Sequence, residues 1–169
     1  MSDDVLAYPL DHTSSLERPR ALDTILYGGL AAGALDITYA LIFSGLRGVS
    51  PSRVLQFIAS GLLGRAAFGG GPATALLGLL LHFLIAFILA GIYYGASLYL
   101  PALVRRAVVC GLVYGVAVYF VMNYVVLPLS ATPKLNQFPL ASFVGGLLIH
   151  AFGVGLPIAL FARRSARAS

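Results

Sequence analysis

Charge is what this chain has least of. Only 10% of its 169 residues are Asp, Glu, Lys or Arg, where a soluble domain carries about 25%, so a water-soluble globule is excluded. Three stretches hold no formal charge at all: Arg65 to Arg105, Arg106 to Lys134 and Lys134 to Arg163. A membrane-spanning helix needs about 20 apolar residues, so each gap holds one crossing. Cysteine is nearly absent. With Cys110 alone, an intramolecular disulfide is impossible and no thiolate metal cluster can be built from one chain; Cys110 is read as a small packing residue. Also missing are a nucleophile paired with a base, a phosphate-binding glycine loop and an H-E-x-x-H pair. The expectation is therefore a protein that is not an enzyme.

What fills the chain instead is apolar, at 59% hydrophobic residues. The pattern predicts an all-α, polytopic membrane protein with four transmembrane helices over about 24–46, 74–99, 107–129 and 140–162. Gly71-Pro72, Pro101 and Pro139 punctuate the boundaries, as proline's fixed φ and missing N–H require. The net charge of +5 would suggest a nucleic-acid partner in a soluble protein; here the basic residues sit where helices end and read as topology signals. Arg18, Arg20, Arg105, Arg106, Arg163, Arg164 and Arg167 fall on one side, against Arg47, Arg53, Arg65 and Lys134 on the other. That asymmetry places both termini in the cytoplasm and argues against nucleic acid as a partner. Residues 1–22 read as a flexible polar tail that includes His12, and 164–169 as a basic C-terminal tail. The opening segment has acidic residues and no basic n-region, so the first helix is expected to be retained and to act as the insertion signal.

The first loop between spans is too long and too patterned for a turn. Ser50 followed by Pro51 is a helix start, the serine as N-cap and the proline at the first helical position. Val54, Phe57, Ile58, Leu62 and Ala66 then recur at spacings of three and four, with Arg53, Ser60 and Arg65 toward the other side. A short amphipathic helix over about 51–67 is expected, on the outer membrane surface or over the bundle; a re-entrant hairpin is the alternative.

Each span carries a polar side chain at a similar depth. Counting at 1.5 Å per residue, Asp36, His82, Asn123 and His150 fall in one slab roughly 9–15 Å below the outer boundary. Each also lies on a stripe of small residues, the pattern of a helix face that neighbours approach closely: Gly29, Gly33 and Asp36; Thr74, Gly78, His82, Ala86 and Ala90; Gly111, Gly115, Tyr119 and Asn123; Ser142, Gly146, His150 and Gly153. Tight packing alone explains such stripes equally well. A carboxylate at that depth costs at least about 2.5 kcal/mol, which marks Asp36 as a site candidate. It is expected to pair with a protonated His82 or His150, or to be protonated and bonded to Tyr39 or Asn123. His82 and His150 lie on parallel helices and can supply two ligands to a b-type haem or a divalent metal, although no propionate-binding set accompanies them. No cofactor is the first expectation. Pro128 ends helix three or kinks it, and Tyr93, Tyr94 and Tyr99 read as an interfacial belt.

Ser50-Pro51 through Val54-Leu55-Gln56, then Ala59-Ser60-Gly61-Leu62-Leu63-Gly64, the glycines before helix two and Leu81-His82-Phe83 resemble a widespread group of small bacterial membrane proteins. The order of a histidine early in helix two, a proline ending helix three and a histidine in helix four is distantly similar to the YagU-type inner-membrane proteins. The resemblance implies a four-helix fold in a bacterial inner membrane and supplies no catalytic residue.

Three functions follow. The first is a bundle, with self-pairing through faces such as Gly91 and Gly95, that binds or passes a proton, ion or small polar solute at Asp36, His82, Asn123 and His150, with Tyr39 and Tyr119 beside them. The second is an accessory subunit of a larger membrane complex, and the third a bis-histidine haem protein.

Overall fold

The computed structural model describes residues 19–133 and 139–166; the tail before Pro19 with His12, the loop residue Lys134 and the C-terminal Arg167 lie outside them. Among the described residues there are helices and no strand. Four helices are long and apolar enough to cross a membrane: α1 (Asp23–Gly45), α3 (Gly71–Tyr99), α5 (Ala107–Leu129) and α6 (Leu140–Ser165). Between the first two lies α2 (Pro51–Leu63), and a single turn, α4 (Ala102–Arg105), separates α3 from α5. The chain is an all-α, multi-pass membrane protein.

The outward faces explain why lipid must be the solvent. Leu76, Leu80, Leu84, Ile88 and Ile92 make an exposed row along α3, one residue every turn. On the inward face small residues dominate: Gly78, Ala86 and Ala90 are buried. Lipid offers apolar side chains the same environment as a protein core, so association relies on close packing, and glycine and alanine permit it. Thus α5 and α6 touch backbone to backbone. A Cβ added at Gly155 would run into the carbonyl of Gly111 and the backbone of Gly115, and one at Gly115 into the carbonyl of His150. Gly29 and Gly33 of α1 admit Phe87 and Phe83 of α3 in the same way.

The core lies toward the end that carries the termini. Ala32, Ala90, Tyr93, Ala107, Val118, Ile158, Ala159 and Ala162 form one buried cluster. The first and last spans are tied there: Arg20 N–H donates to Ser165 Oγ at 3.1 Å, and Thr24 Oγ1 lies 3.4 Å from the same oxygen. Tyr93, expected in an interfacial belt, is instead 1% exposed; its hydroxyl donates to the Leu103 carbonyl (2.9 Å) and its ring meets Tyr114 edge-on. Tyr114 in turn donates to the Leu89 carbonyl at 2.7 Å. At this end α3 and α5 are therefore bridged by tyrosines. Tyr99 is 84% exposed, as a belt residue should be.

The helix in the first loop packs on the bundle. Ser50 caps α2 by accepting from Arg53 N–H, with Pro51 at the first helical position. The Leu55 carbonyl presses on Gly78, seven residues into α3 and so about 10 Å along it. Gln56 Nε2 donates to the Gly71 carbonyl at 3.1 Å. The buried face is Gln56, Ala59 and Ser60, while Leu62 is 63% exposed, which reverses the face read from the sequence at Ser60, Leu62 and Ala66. In lipid small and polar residues can turn inward while large apolar ones such as Leu62 and Leu63 face out. The α-helix stops at Leu63, where Gly64 takes φ +59°, and a 3-10 stretch (Gly64–Gly69) leads to Gly71 at φ +56°. Both glycines adopt a left-handed backbone that side chains with a Cβ resist.

Candidate functional site

A cavity of about 380 Å³ opens between the helices on the side covered by α2. Asp36 from α1, His82 from α3, Asn123 from α5 and His150 from α6 all line it. Its wall is completed by Val54, Phe57, Ile58 and Gly61 of α2, by Ser44, Ser130 and Thr132, and by aliphatic residues such as Ile37, Ile85, Leu127 and Val154. The four polar groups read from helix depth thus share one space.

Two of those groups sit on widened turns. The backbone is π-helical over Met122–Val126, which holds Asn123, and over His150–Gly155, which His150 opens. Each segment is followed two residues later by a proline, Pro128 and Pro157. Proline cannot donate to the carbonyl four residues back and its ring crowds that carbonyl, so the preceding turn relaxes to the wider spacing. Such bulges recur at functional sites. Pro128 also ends its helix: Leu129 is the last helical residue and Ser130 is extended. Pro157 is the signal that the sequence reading passed over; inside an otherwise regular apolar run, a proline marks a turn that must open.

The polar groups are held individually. His82 Nε2 meets the Gly33 carbonyl at 2.9 Å, which ties α3 to α1. His150 Nδ1 meets the Gly146 carbonyl of its own helix at 2.9 Å and lies 3.8 Å from Asp36 Oδ1. Asn123 Nδ2 donates to the Tyr119 carbonyl, also at 2.9 Å. Of the partners expected for Asp36, His150 is the one within 4 Å as an ion pair; His82 and Asn123 bond to backbone carbonyls elsewhere. The Asp36 and His150 side chains retain 22% and 18% exposure, consistent with their facing the cavity.

Tyr39 and Tyr119 stand behind the wall. Tyr39 stacks on Phe43, and its hydroxyl lies against Gly145 of α6. Arg47 covers the other side of this group, with its guanidinium 4.2 Å from the Phe43 ring centre and a 2.8 Å bond to Ser142 Oγ. Tyr119 is 2% exposed and meets the His150 ring edge-on at 5.4 Å; its hydroxyl is buried with no hydrogen-bond partner among the described residues. Tyr119 thus packs against a cavity residue, and neither tyrosine lines the cavity.

Among the described residues, no three His, Cys, Asp or Glu side chains come together at metal-binding spacing. Ring atoms that could meet a metal or haem iron are Nδ1 of His82 and Nε2 of His150, the nitrogens not engaged by backbone carbonyls. No family model, curated protein or solved structure matches the chain.

Proposed function

We propose that this protein binds, or passes across a bilayer, a proton, ion or small polar solute in the cavity lined by Asp36, His82, Asn123 and His150. One observation carries the reading: four polar side chains from four different spanning helices line a single cavity of about 380 Å³. Packing alone would have closed that space, since small residues bring the same helices into backbone contact elsewhere. Polar groups in spanning helices that face an interior cavity mark solute and proton pathways in membrane proteins generally. The resemblance to bacterial inner-membrane proteins and the excess of arginine at the ends that hold the termini support a bacterial inner-membrane location with both termini cytoplasmic.

The test is reconstitution into proteoliposomes. Wild-type protein is expected to bind or conduct a protonic or ionic load that Asp36→Asn loses while still folding. Indistinguishable behaviour of the two overturns the reading.

A second reading, an accessory subunit or self-associating protein, draws on Gly91 and Gly95 of α3, where an added Cβ would meet nothing within 4 Å. Two bare glycines one turn apart suit a close helix–helix contact. Purification from native membranes tests it: a stoichiometric partner supports this reading and an isolated monomer counts against it.

A further inference from the structure

Resting on that reading of the cavity, we infer that its occupant is a small organic ammonium ion with a short apolar body. The argument begins with where the hydrogen-bond donors have gone. A backbone carbonyl only accepts, so the ring nitrogens against Gly33 and Gly146 must carry hydrogen: His82 is protonated at Nε2 and His150 at Nδ1. In the neutral rings this leaves His82 Nδ1 and His150 Nε2 as acceptors. Asn123 donates through Nδ2 to the Tyr119 carbonyl, which orients its Oδ1 as the free acceptor end. Ser130 spends its one hydrogen within the wall, on the Leu127 carbonyl at 2.8 Å or on Thr132 Oγ1 at 2.9 Å.

Three of the four site residues have therefore turned a donor toward the protein backbone, and Asp36 as a carboxylate has none to give; the second N–H of Asn123 and the hydroxyls of Ser44 and Thr132 are the donors left in the wall, against the two oxygens of Asp36, two ring nitrogens and Asn123 Oδ1 as acceptors. An acceptor-rich site wants a ligand that brings several N–H groups. Charge selects further: the wall contains Asp36 and neither lysine nor arginine, so with the neighbouring His150 ring neutral at 3.8 Å an ionised Asp36 has no permanent cation to offset it, and an anion would meet unfavourable charge. An ammonium head supplies up to three donors and the matching charge, and its bonds to a carboxylate are of the strong, charge-assisted kind.

The remainder of the wall rules on the body. Most of it is aliphatic or aromatic, Ile37, Phe57, Ile58 and Leu127 among others, and a cavity of about 380 Å³ is at the small end of ligand sites. A bare metal ion would leave that apolar volume unfilled and would find no cluster of three ligating side chains among the described residues. A short hydrocarbon tail on the ammonium fills it.

The experiment uses the full chain in nanodiscs, titrated calorimetrically with n-butylammonium chloride, n-butanol and sodium butanoate against empty nanodiscs. Butylammonium is expected to bind at least about tenfold more tightly than butanol, with butanoate weakest. Asp36→Asn should remove that preference and leave butanol affinity unchanged, and Ala40→Leu, which fills the cavity, should weaken binding of both. Butanol or butanoate binding as tightly as butylammonium overturns the inference and leaves the cavity a binding site. Butylammonium binding that ignores both substitutions, or that sodium or magnesium ions displace at equal concentration, overturns it as well. If none of the three probes binds, the inference falls, while the reading of the cavity as a proton or ion site stands or falls by the proteoliposome test.

Discussion

His150 Nδ1 is 3.8 Å from Asp36 Oδ1 while hydrogen-bonded at 2.9 Å to the Gly146 carbonyl. The imidazole is thus oriented by its own helix, and the carboxylate stands beside an N–H already in use. The contact joins α1 to α6 at the point where α6 widens into its π turn. An electrostatic link of this kind holds a geometry more than it glues the bundle, because 3.8 Å is beyond a good hydrogen bond.

Asp36→Asn and His150→Gln should each weaken the bundle, and their effects should not add. Contacting residues usually couple by about 0.5–3 kcal/mol, and this partly open pair belongs at the low end. A double-mutant cycle on unfolding in mixed micelles measures it; strict additivity would show that the two side chains do not sense each other.

Glycine substitutions should divide sharply by position. Gly155→Ala and Gly115→Ala force a methyl into the facing backbone, so a loss of about 1–3 kcal/mol or failure to fold is expected. At Gly91 and Gly95 the same change meets open space, and the monomer should be unaffected or gain up to about 1 kcal/mol of helix propensity. Melting temperatures in detergent compare the four variants, and equal losses at all of them would contradict the packing.

Two buried tyrosines and a partly buried third offer a hydroxyl test. Tyr93→Phe and Tyr114→Phe leave the carbonyls of Leu103 and Leu89 without their donors, at about 1–3 kcal/mol each. Tyr119→Phe removes a hydroxyl with no partner among the described residues, so it should be neutral or stabilising. Thermal unfolding that ranks Tyr119→Phe as the most damaging of the three would assign that hydroxyl a partner.

Cysteine labelling on a Cys110→Ala background reports both the orientation of α2 and the sidedness of the chain. A nitroxide on Leu62→Cys should be open to dissolved oxygen, which partitions into lipid, and one on Ala59→Cys, at 0% exposure, should be protected. An impermeant maleimide applied to intact cells should reach Ser52→Cys and miss Ala102→Cys, which sit at opposite ends of the bundle. The reverse pattern would invert the proposed topology.

The legible part of this protein lay in its periodicities. Four apolar runs, interrupted by proline and separated by arginine, dictate four helices because a bilayer leaves backbone polar groups no other partner. The fixed rise of a helix then made depth countable, which is why Asp36, His82, Asn123 and His150 could be placed in one layer before any contact was known. Direction around each helix was harder to read. In a soluble helix apolar means inward, and that rule misassigned Ser60 and Leu62 of α2, while the aromatic-belt rule placed the buried Tyr93 at the interface. In lipid the sign of the rule is lost, since large apolar side chains are content on the outside and small or hydrogen-bonded ones fill the interior.

Sequence by itself determined the number of crossings, their limits and the depth of the polar residues, all of which follow from local geometry and transfer free energy. Tertiary structure alone decided that these residues share a cavity, that His150 stands beside Asp36, and that the histidine and asparagine donors are spent on backbone carbonyls. Those outcomes depend on how each helix is rotated and how closely its glycines let it approach the next. Rotation and approach are set by side chains far apart in the chain, so no single stretch of sequence encodes them.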